Sequence, residues 1–266
     1  RGLSFVQWDS YKYGGMPTPW ISHPNNVKNF YDTGVAQSNS ITLISGGENN
    51  NFRLSIGNSD EKGMIPFTDF KKFNVGFNGN MKLGEKLTAG ANVTFFNNKS
   101  NNLPPVGYSS SNVVQQFIWS ARNVNFPDLK NWRNLPLAPV GTASEGTPLN
   151  WNNVFQNNPY WVLETNRNTF DQDRVTGSTY LNYKFNDKLS INGKLSLDHY
   201  SQRETLRAEK GTNEYKDGYY AEVARRYSEI NAEAILTYQT DLTSDLKLSL
   251  NGGMNTLKRV RNTVVG

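Results

Sequence analysis

No cysteine occurs in the 266 residues, which excludes disulfides, thiolate nucleophiles and sulfur-ligated metals together. No run approaches the roughly 18 apolar residues of a membrane helix, so a helical span is excluded as well. Histidine is scarce: His23 and His199 are far apart, and neither has a partner at metal-ligand spacing. Hydrophobic residues reach only 36% and mean hydropathy is −0.65, which argues against a conventional soluble core. A basic stripe is missing too. The formal charge of +5 comes from scattered Lys and Arg, which suit a solvated lumen lining and exclude nucleic acid as an expected partner.

What is present is aromatic and polar. Aromatics make up 12%, too many for a disordered chain, and Tyr, Thr, Ser, Gly and Asn crowd the whole length. A barrel strand reconciles these values, because only every second residue faces lipid and mean hydropathy stays low.

Period-two alternation dominates. Phe73, Val75, Phe77, Gly79, Met81 and Leu83 interleave with Asn74, Gly76, Asn78, Asn80 and Lys82. After Gly84-Glu85 the pattern restarts with Leu87, Ala89, Ala91, Val93 and Phe95, which makes a hairpin. A second hairpin joins Val175–Phe185 to Leu189–Asp198 through Asn186-Asp187, and a third joins Ile230–Tyr238 to Leu246–Met254. An earlier one joins Ser40–Ser45 to Phe52–Asn58 through Gly46-Gly47-Glu48-Asn49-Asn50. The sum is about eight antiparallel strands. The predicted lipid-facing set includes Phe77, Ala91, Val93, Leu181, Leu195 and Leu236, with Asn78, Asn92, Asn182, Lys194 and Glu233 turned inward.

Connections near 46–51, 84–86, 186–188 and 241–245 are short, whereas those near 59–69, 99–169 and 202–220 are long, and the two kinds alternate. Short periplasmic turns alternating with long outer loops are the pattern of an outer-membrane barrel; Greek-key crossings of a soluble sandwich would break it. Asn, Ser, Thr, Lys and Asp on the second face would be costly in a dry core and sit comfortably beside water or a polar plug.

The sequence offers no constellation suited to catalysis. Asp198 and His199 point to opposite faces of a strand. Asp171 and Asp173 share a face, as paired glycosidase carboxylates would, but Arg174 and the strand start at Val175 favour a loop-strand salt-bridge cluster. Asn58-Ser59-Asp60-Glu61-Lys62-Gly63 lacks the later ligands of a calcium loop. No catalytic, cofactor or metal site is expected, and the chain does not read as an enzyme.

All six tryptophans, Trp8, Trp20, Trp119, Trp132, Trp151 and Trp161, fall outside the strands. Two readings stand side by side: a long loop needs its own small core, and exposed aromatics anchor a sugar ring or a lid protein. Asn158-Pro159-Tyr160-Trp161 suits a packed hinge, which leaves Trp119, Trp132 and Trp151 as candidates for contact with cargo or lid. Residues 112–122 place Val113, Val114, Phe117, Ile118 and Ala121 at helical spacing, predicting an amphipathic helix on the barrel mouth.

Asn39-Ser40-Ile41-Thr42-Leu43-Ile44-Ser45-Gly46-Gly47, then Phe52-Arg53-Leu54-Ser55-Ile56-Gly57-Asn58 and Glu61-Lys62-Gly63, resemble the early barrel of the SusC/RagA family, TonB-linked outer-membrane transporters of Bacteroidetes. Asn26–Gly34 resembles what precedes that strand in the family, and Asn158-Pro159-Tyr160-Trp161, Asp171-Gln172-Asp173-Arg174 and Leu181-Asn182-Tyr183-Lys184-Phe185 follow in order. The resemblance implies a barrel of about 22 strands, an N-terminal plug, coupling to the TonB complex, a SusD-like surface lipoprotein as lid, and oligosaccharide or peptide cargo. The fold expected is therefore all-β, an antiparallel transmembrane β-barrel segment with a long, partly helical extracellular loop. Residues 1–38 are expected to be extracellular loop and 39–266 barrel strands and loops, including the large loop 99–169. Because the chain starts at Arg1 and stops at Gly266 without plug, TonB box or closing aromatic strand, it is expected to be part of a longer protein. Two other readings compete: a passive small barrel or porin complete in itself, and a soluble carbohydrate-binding β module.

Overall fold

The computed structural model describes residues 3–266. Two short strands, β1 (Ser4–Phe5) and β2 (Thr18–Pro19), pair near the N-terminus. Eight long strands follow as one antiparallel meander: β3 (Val35–Gly46), β4 (Asn50–Lys62), β5 (Asp69–Leu83), β6 (Leu87–Ser100), β7 (Thr169–Lys184), β8 (Leu189–Ala208), β9 (Tyr219–Asp241) and β10 (Lys247–Val265). Each pairs with its neighbours in sequence, and β3 and β10 are free edges. The sheet is therefore open, and the closed eight-stranded barrel considered above does not form.

All four expected hairpins are present in their expected order. The turn after β5 begins at Gly84, whose φ of +76° is one that L residues rarely adopt. The register shows why alternation was so legible. Leu43, Leu54, Phe77, Val93, Gly177, Leu197 and Ile230 form one row across seven strands. One residue along, the row on the opposite face reads Arg53, Asn78, Asn92, Ser178, Ser196 and Asn231. The two predicted sets lie on opposite faces in this register. On the polar face the Tyr180 ring covers Gly90, where a Cβ would lie 2.3 Å from Tyr180 Cε1. Only glycine leaves room for that ring.

The strands run further than the alternation showed. The connections expected at 59–69 and 202–220 shrink to 63–68 and 209–218, and His199, next to the expected strand end at Asp198, lies well inside β8. The reason is chemical: beyond Phe95 and Val175 the formerly apolar face turns polar while Phe96 and Phe170 stand on the other, so the period-two signal disappears while the hydrogen-bonded ladder continues.

Most buried apolar side chains lie off the sheet, in a crown at the long-loop end. It contains α1 (Asn26–Phe30), α2 (Gln116–Trp119), α3 (Phe126–Leu129) and α4 (Pro159–Thr165). Its core joins Trp8 and Phe30 from the N-terminal segment to Val113, Val124, Phe126, Leu129, Tyr160, Trp161, Val162 and Leu163. Phe30 is the hub, with ring centroids of Phe117 at 4.9 Å, Tyr160 at 5.2 Å and Phe126 at 6.3 Å. The helix expected over 112–122 is shorter: a 3-10 turn (Val113–Gln115) leads into α2, and Ser120 is already extended. The tighter turn shifts the phase, so Val113 is buried while Ile118 is 79% exposed.

Candidate functional site

Two polar-aromatic surfaces emerge, one in the crown and one on the polar face of the sheet. In the crown, buried amides hold segments that have no regular ladder. Asn158 caps α4, its Oδ1 accepting from Tyr160 N (3.1 Å) and Trp161 N (3.2 Å), while its Nδ2 donates to Leu129 O (3.0 Å) and Leu149 O (3.2 Å). Gln116 Nε2 donates to Asn157 O (3.0 Å), and its Oε1 accepts from Trp151 Nε1 (2.9 Å) and Asn150 Nδ2 (3.3 Å). Burial pushes the Tyr160 phenol pKa up, and Asp32 adds to the shift.

Beside this frame lies a cavity of about 510 Å3, lined by Tyr108, Ser109, Ser110, Gln115, Trp119, Trp151, Asn152, Phe155, Gln156 and Glu214. Its size is in the range of small-molecule sites. The three contact candidates divide here. Trp119 is 59% exposed and Trp151 half-buried, and both line the cavity. Trp132 does not: its indole donates to Glu164 Oε2 (3.1 Å), Arg133 stacks 4.2 Å from its ring, and it packs against the crown core. Hydrogen bonding from the Arg133 guanidinium, opposed by partial burial and aided by the Trp132 indole, holds the Glu164 carboxyl below the usual carboxylate range. Tyr108, Gln115, Phe155 and Glu214 were invisible to pattern reading, because irregular segments carry no periodicity. Asn158-Pro159-Tyr160-Trp161 is buried, as the packed reading of that segment expects.

On the polar face, Arg174 binds Asp198 through two parallel bonds, Nε to Oδ1 (2.8 Å) and Nη2 to Oδ2 (2.7 Å). This corrects the expected cluster. Arg174 lies on the face opposite to Asp171 and Asp173, and those carboxylates are bound by Lys99 (3.5 Å to Asp171) and Asn97 (2.8 Å to Asp173). Next to the Arg174 pair, Tyr200 and Tyr227 stack at 5.2 Å, Tyr227 donates to Glu229 (2.6 Å), and Arg259 donates to the same carboxylate (2.7 Å). The ladder offers fixed charges of both signs to whatever fills the polar side. Sequence reasoning missed most of it, since partners on neighbouring strands meet only once the register is known. Among the described residues no group of three or more His, Asp or Glu is arranged to hold a metal.

No family model matches the sequence, and no curated protein matches it. Solved structures do. The RagAB peptide importer in its open-open state aligns at a TM-score of 0.68 and 14% identity over 91% of this chain, and in its closed-closed state at 0.63 and 15% over 91%. BauA, the ferric preacinetobactin receptor from Acinetobacter baumannii, aligns at 0.51 and 8% identity over 88%. The fold is that of part of the barrel wall in these importer and receptor structures. The chain spans 26%, 27% and 30% of those three structures' chains.

Proposed function

We propose that the chain is a wall segment of an energy-coupled outer-membrane importer, and one observation carries this reading. From β3 to β9 the apolar face turns polar at nearly one height. The last apolar residues are Ile56, Val75, Phe95 and Val175 on β4–β7 and, one row lower, Leu197 and Ile230 on β8 and β9, where His199 and Ser228 already stand in the Val175 row; the next row reads Asn58, Phe73, Asn97, Asp173, Ser201 and Arg226. The row after that is charged, with ion pairs Lys71–Asp60 (3.3 Å) and Lys99–Asp171 (3.5 Å), and Arg203–Glu222 (3.0 Å) stands beside it. A soluble sheet has no reason to change one face at one height. A bilayer supplies one. On β6 the apolar stretch from Leu87 to Phe95 is about nine residues, the length that a tilted barrel strand of roughly 9–11 residues needs. Tyr183 and Tyr238 mark its lower margin and Phe73 and Phe95 its upper, like the aromatic girdles of such barrels. The contiguous exposure of Phe77, Val93, Leu181, Leu195 and Leu236 suits contact with lipid.

In this reading the polar face lines the lumen, the crown faces the cell exterior, and the remaining partners are those of the family resemblance. They are a SusD-like lipoprotein lid over the crown, the TonB complex as energy source, and oligosaccharide or peptide as cargo. The exposed ring of Trp119 supports a contact role; half-buried Trp151 lines the same cavity while packing against the crown core, and Trp132 packs against that core without lining the cavity. The test is uptake of labelled oligopeptides and oligosaccharides by cells carrying the full-length protein. Uptake should stop when a protonophore dissipates the proton gradient, while surface binding persists. Uptake unaffected by the protonophore would place the chain in a passive pore.

A further inference from the structure

The crown cavity contains one charged group, and it is an acid. Glu214 sits on the 209–218 loop at φ +73°, a conformation non-glycine residues rarely adopt, held there by the surrounding loop. Its carboxylate accepts two long hydrogen bonds, from Ser109 Oγ and Ser110 N, each 3.3 Å. Nearby cations are committed elsewhere: Lys216 Nζ donates to Asn213 Oδ1 (3.1 Å) and Arg207 pairs with Glu209 (2.8 Å). In a chain of formal charge +5, this carboxylate has no counterion among the described residues, and it stands in a cavity whose other walls include Tyr108, Trp119, Trp151 and Phe155. Tyr108, Trp119 and Phe155 are 85%, 59% and 69% exposed. Gln156 also lines the cavity; it is 5% exposed, and its Oε1 is buried without a hydrogen-bond partner.

Aromatic faces attract cations through the ring quadrupole, and an unpaired carboxylate does so by charge. Two of the amide oxygens beside the cavity that could read sugar hydroxyls are already used within the loop: Gln115 Oε1 accepts from Ser109 N (2.8 Å), and Asn152 Oδ1 from Val154 N and Phe155 N (3.0 Å each). We propose that this cavity receives the cationic side chain, lysine or arginine, of a peptide cargo. The inference deepens the importer reading and rests on it.

The test uses the full-length protein in detergent, a short peptide carrying one lysine, the same peptide with norleucine in its place, and a neutral oligosaccharide as competitor. The lysine peptide should bind about tenfold more tightly than the norleucine peptide. Glu214→Gln keeps the size and hydrogen-bonding capacity of the side chain and should abolish that preference, and Trp119→Ala, at an exposed ring, should reduce it. Equal affinity for the two peptides, a preference that survives Glu214→Gln, or no binding of either peptide overturns the proposal. Displacement of the lysine peptide by the oligosaccharide with no effect of Glu214→Gln overturns it in favour of a sugar site. Energised uptake measured on the same variants separates the two claims: uptake without charge preference defeats the cation site alone, and absence of any energised uptake defeats the importer reading.

Discussion

Leu195→Arg should destabilise the protein by about 2–4 kcal/mol in a bilayer, the cost of a charge near the midplane on the lipid face of a barrel. Leu195 stands on the apolar face between Thr179 and Ala232, with Leu197 and Ile230 in the next row. It is 48% exposed. That exposure makes the substitution informative: a half-exposed surface leucine in water tolerates arginine within about 0.5 kcal/mol. Ser196→Arg is the control. Ser196 pairs with Ser178 and Asn231 on the polar face, so an arginine there enters the watered lumen and should fall within about 0.5 kcal/mol of wild type. Denaturant unfolding of the full-length protein in vesicles reads both. Equal effects at the two positions would mean that the faces do not differ in solvent.

A second large effect is expected far from the membrane. Asn158→Ala removes a helix cap and two bridging donors at a fully buried position. Loss of the cap costs about 1 kcal/mol, and each of the two carbonyls left buried without a donor costs about 1–3 kcal/mol more, for a sum of about 3–7 kcal/mol. The damage should stay local. Asn158 ties α4 to the Leu129 and Leu149 segments and makes none of these bonds to the sheet, so the crown should open as a unit while the β5–β8 ladder remains closed. Hydrogen exchange should lose protection at residues 113–163 and keep it at the Phe73–Met81 amides. Unchanged exchange in the crown would show that the amide frame contributes little.

The membrane-band part of the fold was legible, and the crown was not, for related physical reasons. Where one face meets an apolar solvent and the other a polar one, every second residue is constrained, and Phe77, Val93, Leu181 and Leu195 declare themselves. Past Asn97 and Asp173 the apolar face has turned polar and Phe70 and Phe170 stack on the other, so the constraint ends and strand length could not be read. In the crown, burial is arranged by three-dimensional contacts between segments far apart in sequence, such as Phe30 with Phe117 and Phe126. The tryptophans signalled that a small core existed there, and two of them, Trp8 and Trp161, belong to it. Their division into core and cavity was beyond the sequence, as was the pairing of Arg174 with Asp198, which depends on a cross-strand register that composition does not encode. Glu214 gave no local signal at all, being one acid among scattered charges.

The central claim is that one face of this sheet lies in hydrocarbon up to a fixed line and in water beyond it. Because the chain has no cysteine, single cysteines can be introduced from Leu189 to Thr205 and spin-labelled in the full-length protein in vesicles. Accessibility to oxygen and to a water-soluble nickel chelate is then measured at each position. The account predicts that labels at Ile191, Gly193, Leu195 and Leu197 meet oxygen and exclude nickel, that labels at Asn192, Lys194 and Ser196 do the reverse, and that Ser201, Arg203 and Thr205 meet nickel although they share a face with Leu195. Nickel access at Ile191 through Leu197 equal to that at Asn192 and Lys194 would contradict it and return the sheet to water.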